Sequence, residues 1–409
     1  MRLRGGLHLA YCTNVHRGET WAETFTALEQ HVLPVRQHVA AGVPYAIGLR
    51  LGARAARELS DRETLVGFQR WLERHDCYVF TINGFPYGSF HGTRVKEQVY
   101  APDWSTSDRL EYTLRLFDLL AELVPEDVAG SVSTVPGSFK GFVTAEPERR
   151  SAIFRQLTAC GRAIEALARR TGRDLHLGLE PEPMCLLETT VETVDFFAEW
   201  QQQERGASAL LPYVGVNYDC CHLAVEFESA GAALDRLRAA GLRLSKLHLS
   251  SALRVQPDVA GRAALEAFVE PVYLHQVVVG TTEEQPVQAR YLDLPEALAT
   301  SAGDGAGEWR VHFHVPLHHA PAAPLSDTRH HLIEALDWLA AHPGACQHLE
   351  METYTWEVLP PALRLPIGQQ IVQEYEWTLG ALAERGLADP GAGQATRTGV
   401  GTLLGEAGV

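Results

Sequence analysis

Carboxylates and imidazoles recur at one kind of position in this sequence, at or just past the C-terminal end of a short apolar run. The runs span residues 175–179, 213–216, 244–247 and 347–349. The polar residues that follow them are Glu180, Asp219, His222, His248, Glu350 and Glu352. A (β/α)8 barrel places its chemistry at this end of its strands. The pattern therefore predicts an α/β fold of that class with a polar site at one rim.

Strand-like runs alternate with helical stretches along most of the 409 residues. Eight such runs predict a parallel, buried sheet, which right-handed crossovers close into a barrel. An open doubly wound sheet is the competing architecture, but it usually gathers its polar residues at one switch point, often with a glycine-rich phosphate loop. No GxGxxG or GxxxxGK[ST] motif occurs in the sequence. We therefore predict one barrel domain over residues 1–388.

Two regions stand outside the repeat. Residues 273–279 and 287–292 are predicted to pair as a hairpin across the polar turn 281–285, inside an insertion of about 271–324. This insertion precedes the last strand, where a lid over the barrel would lie. The tail, 389–409, is rich in Gly, Ala and Thr, and we expect it to be flexible.

Composition narrows the class of partner. The formal net charge of −16 disfavours nucleic acid, because phosphate binding requires clustered Lys and Arg. No run reaches the roughly 18 apolar residues that suggest a membrane span, and the N-terminus lacks the pattern of a signal peptide. The seven cysteines form no CxxC pair. A cytoplasmic protein with reduced thiols that binds a small polar metabolite is predicted, and its oligomeric state stays open.

Several of the strand-end residues could bind a metal or a substrate. Asp219 ends a strand and His222 lies three residues on, so both side chains could face one ion. Glu180 directly follows its strand, whereas Glu182 or Glu188 could contact substrate or support the ligands. Isolated, such residues more often cap helices or lie in solvent. Their recurrence on several strands favours a shared site.

Alternation along three further strands points polar side chains to one face. Lys246, His248 and Ser250 share a parity, as do His312 and His314, and as do Glu350 and Glu352. Buried carboxylates without a cation would cost several kcal/mol each. A metal ion would meet that requirement. We expect His318, His319, His330 and His331 to lie on the surface.

Lysines and one loop supply candidates for substrate contacts. Only Lys96, Lys140 and Lys246 occur in the whole chain, each at or beyond a predicted strand end, where a lysine could bind an anion or polarise a carbonyl. The loop 83–96 combines glycines with aromatic side chains, His91 and Arg94. A binding loop over a barrel mouth has this composition.

Four segments, 7–14, 81–96, 179–188 and 349–356, resemble the metabolite traffic protein EboE family. More broadly, the Asp-x-x-His segment 216–222, with 246–250 and 179–180, resembles the xylose isomerase-like barrel superfamily of sugar isomerases, epimerases and endonuclease IV-type enzymes. That resemblance implies a divalent metal, zinc, manganese or magnesium. The implied ligands are Glu180, Asp219, His248 and a glutamate of the last strand, Glu352 or alternatively Glu350. Early strands lack the further histidines of a trinuclear zinc cluster.

The leading hypothesis is a metal-dependent isomerase or epimerase, of the sugar or sugar-phosphate type, that acts on a small hydroxylated or carbonyl compound. Glu180 or Glu352 would serve as general base, His222 would orient the substrate, and Lys246 would polarise it. The EboE resemblance implies a part in moving a secondary-metabolite precursor toward the periplasm, with other proteins of that pathway as partners.

Two alternatives come from different classes. One is metal-assisted phosphoester hydrolysis with two or three zinc ions and with His91, His312 and His314 at the site. The other is a non-catalytic carrier or scaffold that keeps the pocket to bind a metabolite.

Overall fold

The computed structural model describes residues 1–92, 94–281, 287–300 and 307–390. Eight parallel strands form its central barrel: β1 (His8–Tyr11), β2 (Tyr45–Arg50), β3 (Cys77–Asn83), β4 (Gly130–Thr134), β5 (Leu175–Leu179), β6 (Val214–Asp219), β7 (Leu244–Leu249) and β13 (His348–Met351). They pair in the order β1-β13-β7-β6-β5-β4-β3-β2. A parallel bridge between Cys12 and Gly48 brings the end of β1 against β2. The prediction of a (β/α)8 barrel is confirmed.

Helices fill the connections between the barrel strands. Their bounds are α1 (Trp21–Ala27), α2 (Leu33–Val39), α3 (Ala53–Leu59), α4 (Arg62–Arg74), α5 (Ser107–Leu123), α6 (Lys140–Ala145), α7 (Arg149–Thr171), α8 (Thr190–Gln203), α9 (Cys220–Val225), α10 (Ala230–Ala239), α11 (Val259–Leu265), α12 (Leu294–Ala299), α13 (Arg329–Ala341) and α14 (Ile367–Glu384). A π-helical turn joins α1 to α2. None of the helices in the described ranges is long and apolar enough to cross a membrane.

Local sequence explains where several helices begin. Thr20 and Glu23 form a capping box at α1, and Thr189 and Glu192 form another at α8. In each, two backbone N–H groups that the helix leaves unpaired find side-chain acceptors. Asp219 caps α9 through the N–H groups of Cys221 and His222. The strand that carries Asp219 therefore passes directly into a helix, and the carboxylate is fixed at the junction.

The insertion folds as an antiparallel sheet of five strands. These are β8 (Leu253–Val255), β9 (Val277–Gly280), β10 (Ala289–Tyr291), β11 (Glu308–Val311) and β12 (Ser326–Asp327), in the order β10-β9-β11-β8-β12. The predicted hairpin corresponds to β9 and β10, and residues 282–285 of its predicted turn lie outside the described residues. Strands β8 and β12 extend the sheet beyond the predicted 271–324, because runs of two or three residues are too short to show periodicity.

Burial differs from expectation at one histidine of α13. His331 is fully buried and stacks on Tyr218, whose hydroxyl lies 2.9 Å from its Nε2. The surface prediction for His331 was wrong, because α13 turns this residue toward the barrel. All seven cysteines lie in the described ranges, are buried and form no disulfide. Residues 391–409 of the predicted flexible tail lie outside the described residues.

Glu374 on α14 gives the fold a pH dependence. Burial raises the pKa of this carboxyl to about 7. A folded-state pKa above the unfolded value means that the folded state binds the proton more tightly, so stability is greatest below the unfolded pKa and falls as pH rises to about 7. Glu374→Gln removes that loss. Its amide oxygen can still accept from Thr353 and Leu317, as the carboxylate does at 2.9 and 3.1 Å.

We therefore compare the free energies of unfolding of Glu374→Gln and the parent at two pH values. Their difference should shift in favour of the variant by on the order of 2–3 kcal/mol when the pH rises from 5 to 8. Urea unfolding at both pH values measures the difference. Glu376→Gln, on the exposed side of the same helix, is the matched control. If Glu374→Gln and the parent differed in free energy of unfolding by the same amount at both pH values, Glu374 would not be the source of the pH dependence.

Candidate metal centre

Four side chains from four neighbouring strand ends meet inside the barrel mouth. Glu180 follows β5, Asp219 ends β6, His248 lies in β7 and Glu352 follows β13. All four are buried, and each offers a ligand atom within 4.8 Å of the others. The set matches the ligands that the sequence predicted, with Glu352 rather than Glu350. Its role as a metal site remains a prediction.

The centre of the group is one nitrogen of His248. Its Nδ1 lies 2.8 Å from Glu180 Oε1, 3.2 Å from Glu352 Oε2 and 3.4 Å from Asp219 Oδ2. Asp219 Oδ2 is buried and makes no well-formed hydrogen bond. Three buried carboxylates around one imidazole carry more negative charge than that ring can neutralise. A divalent cation fits this donor set of three carboxylates and one imidazole.

The opposite face of His248 determines which nitrogen is free. Nε2 donates to Glu350 Oε2 at 2.8 Å, and the same oxygen forms an ion pair with Lys246. The Lys246 Nζ also donates to Ser133 Oγ at 3.0 Å. In the neutral ring, an Nε2–H that donates to a carboxylate leaves Nδ1 as the lone-pair nitrogen, as metal-binding histidines require. Glu350 and Lys246 therefore lie behind His248, away from the four ligand atoms.

Gly48 makes room for this arrangement. A Cβ at that position would lie 2.0 Å from Glu350 Oε1 and 2.6 Å from the Tyr11 carbonyl oxygen. The interior of the barrel is so closely filled at this level that β2 accepts only glycine there. The residue fixes the space in which the Glu350 carboxylate supports His248.

Other ligands are also oriented by hydrogen bonds. Asn14 and Asn83 donate to Glu352 Oε1 at 2.7 and 3.3 Å. Asp219 Oδ1 accepts from the N–H groups of Cys221 and His222 and from Ser250 Oγ, which directs Oδ2 to the centre. Both carboxylates thus keep one oxygen bound by the protein and one oxygen facing His248 Nδ1.

Electrostatics favours the charged forms at this centre. Burial opposes ionisation, but the charge of His248 holds the pKa of Glu180 below its ordinary value. The carboxylates of Glu352 and Glu180 outweigh burial at His248 and hold its pKa well above the usual range. At Glu350, Lys246 and His248 outweigh burial and lower the pKa to about 2. Ionised carboxylates are the forms that bind cations.

A pocket opens onto this centre. Its residues form a polar floor and an aromatic wall: Glu180, Glu182, His222, His312, Glu352, Asn14 and Asn83 in the floor, and Phe85, Phe90, Tyr100, Tyr273 and Tyr354 in the wall, with Pro86, Val95, Lys96, Val99 and Leu274 completing the lining. Small-molecule sites typically combine a few polar groups with apolar and aromatic walls in this way.

The insertion closes one side of the pocket and is attached to the loop after β3. Tyr273, Leu274 and His312 are insertion residues that line the pocket. Lys96 Nζ binds Asp293 Oδ2 and the Tyr273 carbonyl oxygen, both at 2.6 Å. His91 Nδ1 lies 2.6 Å from Tyr273 Oη, and its Nε2 donates to the Asn14 carbonyl oxygen at 2.5 Å. The predicted lid is thus a wall of the site.

Several predicted substrate contacts do not line the pocket. His91 binds the insertion instead, and Arg94 is exposed at the surface. Lys140 forms ion pairs with Glu188 and Glu192, which leaves Glu188 bound outside the pocket. Strand-end position brought these residues to the correct rim. It does not determine whether a loop side chain turns inward.

A second group of polar residues lies beside the four ligands. Glu182 and His312 line the pocket with His222, and His314 lies buried behind them. Tyr100 Oη donates to Glu182 Oε1 at 2.6 Å, and burial raises the pKa of Glu182 to about 7. The carboxyl of Glu182 can therefore hold or release a proton near neutral pH.

The sequence interpretation missed four residues that support the site: Asn14, Asn83, Tyr100 and Gln276. Asn14 and Asn83 lie at strand ends, so the same positional rule could have identified them. Tyr100 and Gln276 meet between two long connections, where no periodicity indicates proximity. Gln276 donates to Tyr100 Oη at 3.0 Å and to the Pro183 carbonyl oxygen at 3.1 Å.

Comparison with known proteins finds similar folds among solved structures but assigns no family. No protein-family model matches the sequence, and no curated protein matches it. Solved structures with similarity include a D-tagatose 3-epimerase-like protein, 12% identical, with 92% of this chain and 98% of that chain covered and a TM-score of 0.49. A xylose isomerase-like TIM barrel protein from Mycobacterium smegmatis in complex with magnesium is 13% identical, with 87% of each chain covered and a TM-score of 0.46.

A third solved structure is the IOLI protein with a bound zinc atom, 12% identical, with 92% of this chain and 98% of that chain covered and a TM-score of 0.45. Such identities establish no family membership, and the EboE-family resemblance stays a prediction. The chemistry of this chain therefore rests on its own side chains.

Proposed function

We propose that this protein is a divalent-metal-dependent isomerase or epimerase that acts on a small, uncharged, hydroxylated metabolite. The observation that carries the proposal is the meeting of Glu180, Asp219, His248 and Glu352 at the floor of one pocket. These four residues would hold the ion. When bound, it supplies Lewis-acid polarisation of substrate oxygens, which makes a neighbouring C–H more acidic.

The protein supplies the proton transfer and the orientation. Glu180 and Glu352 both reach the pocket, and either carboxylate could remove a proton from the carbon next to a carbonyl. Asn14 and Asn83 bind Glu352 Oε1 and so set the direction of the carboxylate. His222 donates its Nδ1–H to the Pro181 carbonyl oxygen at 3.0 Å, which fixes its ring beside the substrate space.

The charge of the pocket indicates an uncharged substrate. Lys96 is the one lysine or arginine among the described residues that line it, and its ammonium group is neutralised by Asp293. Glu180, Glu182 and Glu352 add acidic groups to the floor. A phosphate group would meet carboxylates without a free basic partner. We therefore favour free polyols, hydroxyketones or hydroxyaldehydes over their phosphate esters.

The test is incubation of the metal-loaded protein with aldoses, ketoses and cyclic polyol ketones in deuterated water. Proton magnetic resonance should show loss of the signal beside the carbonyl, and product should accumulate. Glu352→Gln and Asp219→Asn should show neither, while His319→Gln, at an exposed position, should behave like the parent. No exchange and no turnover with zinc, manganese or magnesium would sink the enzymatic proposal. Ligand binding that survives loss of Glu180 and Asp219 would then favour a carrier.

Phosphoester hydrolysis is the second candidate, and the group of His222, His312 and His314 beside the four ligands favours it. Two-ion centres activate water and stabilise the leaving oxygen of a phosphoester. Turnover of bis(p-nitrophenyl) phosphate by the protein, lost in His312→Gln, would support this candidate. Deuterium exchange into a hydroxyketone without phosphodiester turnover would support isomerisation.

The resemblance of four segments to the EboE family supports a wider proposal, that the reaction belongs to the movement of a secondary-metabolite precursor toward the periplasm. A deletion strain should then accumulate precursor inside the cell. The parent gene should restore export, and a gene encoding Asp219→Asn should fail to do so. Restoration by that variant would separate trafficking from the metal centre.

A further inference from the structure

Arg50 ends β2 at the barrel mouth, and neither the metal centre nor the proposed reaction makes use of its charge. The residue is buried, with 3% of its surface exposed. Its backbone N–H donates to Thr13 Oγ1 at 2.8 Å, which attaches the loop after β1 to the end of β2. A buried guanidinium group is costly unless its N–H groups find acceptors. The acceptors of Arg50 therefore indicate what this side chain holds in place.

Those acceptors are backbone carbonyl oxygens of two different loops. Nη1 donates to the Gly18 oxygen, in the loop after β1, at 2.8 Å. Nη2 donates to the oxygens of Gly88 and Pro86, in the loop after β3, at 2.6 and 3.3 Å. The guanidinium group also lies over the Phe90 ring, 5.0 Å from its centroid. Arg50 thus joins the two loops through one rigid, planar group.

The same two loops carry the amides that orient Glu352. Asn14 belongs to the loop after β1, and Asn83 ends β3 where the other loop begins. Both amides donate to Glu352 Oε1, at 2.7 and 3.3 Å. Asn83 is also tied into its own loop, because its Oδ1 accepts from the Phe85 N–H at 3.0 Å. A shift of either loop would therefore move an amide away from the Glu352 carboxylate.

We propose that Arg50 is a positioning residue for the metal centre, which holds the two loops together so that Asn14 and Asn83 direct Glu352 toward the ion. The proposal rests on the proposed metal centre but not on the isomerase reaction. Groups that orient a metal ligand typically contribute about 10–100-fold in affinity. His91 also joins the loops, since its Nε2–H donates to the Asn14 carbonyl oxygen at 2.5 Å. Loss of Arg50 should therefore cost about 10-fold, the lower end of that range.

The direction of the effect separates positioning from charge. Arg50 is a cation at the barrel mouth, so Coulomb repulsion alone predicts that its removal strengthens the binding of a divalent ion. Lost orientation of Glu352 predicts weaker binding instead. Arg50→Lys keeps the positive charge, but a single ammonium group lacks the planar fork that spans both loops. We expect Arg50→Lys to weaken manganese binding as well, although less than Arg50→Met does.

Calorimetric titration of metal-stripped, full-length protein with manganese tests the proposal. Arg50→Met should bind the ion about 10-fold more weakly than the parent. In the background Asn14→Ala/Asn83→Ala, the same substitution should change the affinity by less than about twofold, because the amides through which it acts are gone. Exposed Arg54→Met, on α3, is the control and should bind manganese like the parent.

Three results would overturn the positioning role. One is an equal loss of manganese affinity with and without the two amides, which would mean that Arg50 acts by another route. The others are unchanged binding and stronger binding in Arg50→Met, the second of which is the outcome that charge alone predicts. If Arg50→Met does not fold, Arg50→Lys in both backgrounds gives the same comparison.

Hydrogen–deuterium exchange of the unmutated protein gives a measurement that no folding defect affects. Coupling between two sites is reciprocal in free energy. If the joined loops strengthen manganese binding, then bound manganese must strengthen the contact between the loops. The backbone amides of residues 13–19 and 84–92 should therefore exchange more slowly when the ion is bound. Unchanged exchange in both segments would contradict the coupling.

These readouts separate the role of Arg50 from the proposed function. If the parent binds manganese and the Arg50 variants bind it equally well, the metal centre stands and the positioning role is excluded. If the parent binds no divalent ion, the metal centre and the positioning role fail together. If manganese binding responds to Arg50 as expected but no substrate turns over, the positioning role stands without the isomerase reaction.

Discussion

Asp219→Asn is expected to remove the divalent ion from the candidate metal centre and to reduce metal-dependent turnover sharply. The amide can keep its oxygen on the N–H groups of Cys221 and His222, which Asp219 Oδ1 now binds at 2.7 and 3.0 Å. Its NH₂ group then points toward His248 where Oδ2 lies in the parent. A donor in place of an anionic ligand should reduce turnover by about 10³-fold, equivalent to several kcal/mol of transition-state stabilisation.

The same substitution should also destabilise the metal-free protein. Burial opposes ionisation of Asp219, but the charge of His222 and the hydrogen bond with His248 outweigh it and hold the pKa of this carboxyl well below its ordinary value. A lowered folded-state pKa means that the ionised carboxylate stabilises the fold at neutral pH. We expect metal-free Asp219→Asn to unfold at a lower temperature than the metal-free parent. Added manganese should stabilise only the parent, by about 2.7 kcal/mol at 100 times the dissociation constant.

Calorimetric unfolding with and without manganese measures both effects. Asp118→Asn, on the exposed face of α5, is the matched control and should respond to the ion like the parent. Equal manganese stabilisation of Asp219→Asn and the parent would show that this carboxylate is not a ligand. A higher melting temperature for the metal-free variant would show that repulsion among the carboxylates outweighs their attraction to His222 and His248.

The site residues at the strand ends could be predicted from the sequence. Parallel strands of a barrel end at one rim, so Glu180, Asp219 and His248 had to approach one another once the strands were located. Alternation could not separate Glu350 from Glu352, because residues two apart on a strand share a face. Depth separates them: Glu350 lies within β13 behind His248, whereas Glu352 follows the strand and reaches the pocket.

Loop and insertion residues were harder to place for a physical reason. The course of a connection depends on contacts that form only in the folded chain, such as Lys96 with Asp293 or His91 with Tyr273. Neither partner is near the other in sequence. The pairing of His312 with Gln276 likewise depends on the register between β9 and β11. The local sequence pattern marked these side chains as unusual. It could not show whether they point into the pocket or away from it.

Glu350→Gln is expected to lower the free energy of unfolding by about 3–5 kcal/mol, because it leaves the Lys246 ammonium buried without an anionic partner. Both side chains are at most 1% exposed. The Gln amide oxygen can still accept from His248 Nε2, so metal affinity should change little. Stability and metal binding thus depend on different atoms of the same residue.

Two double variants separate these roles. Lys246→Met/Glu350→Gln should recover most of the stability, because replacement of a whole buried ion pair is often neutral. It should also keep its ion, since the His248 hydrogen bond remains. Lys246→Met/Glu350→Leu should be comparably stable but bind manganese about 10–100-fold more weakly, because His248 loses its outer acceptor.

Urea unfolding and manganese titration of the three variants give the answer. The first double variant also decides the predicted catalytic role of Lys246. Turnover close to that of the parent would mean that Lys246 acts only by neutralising Glu350. Loss of turnover with the ion still bound would place the lysine in the reaction, despite its burial behind His248.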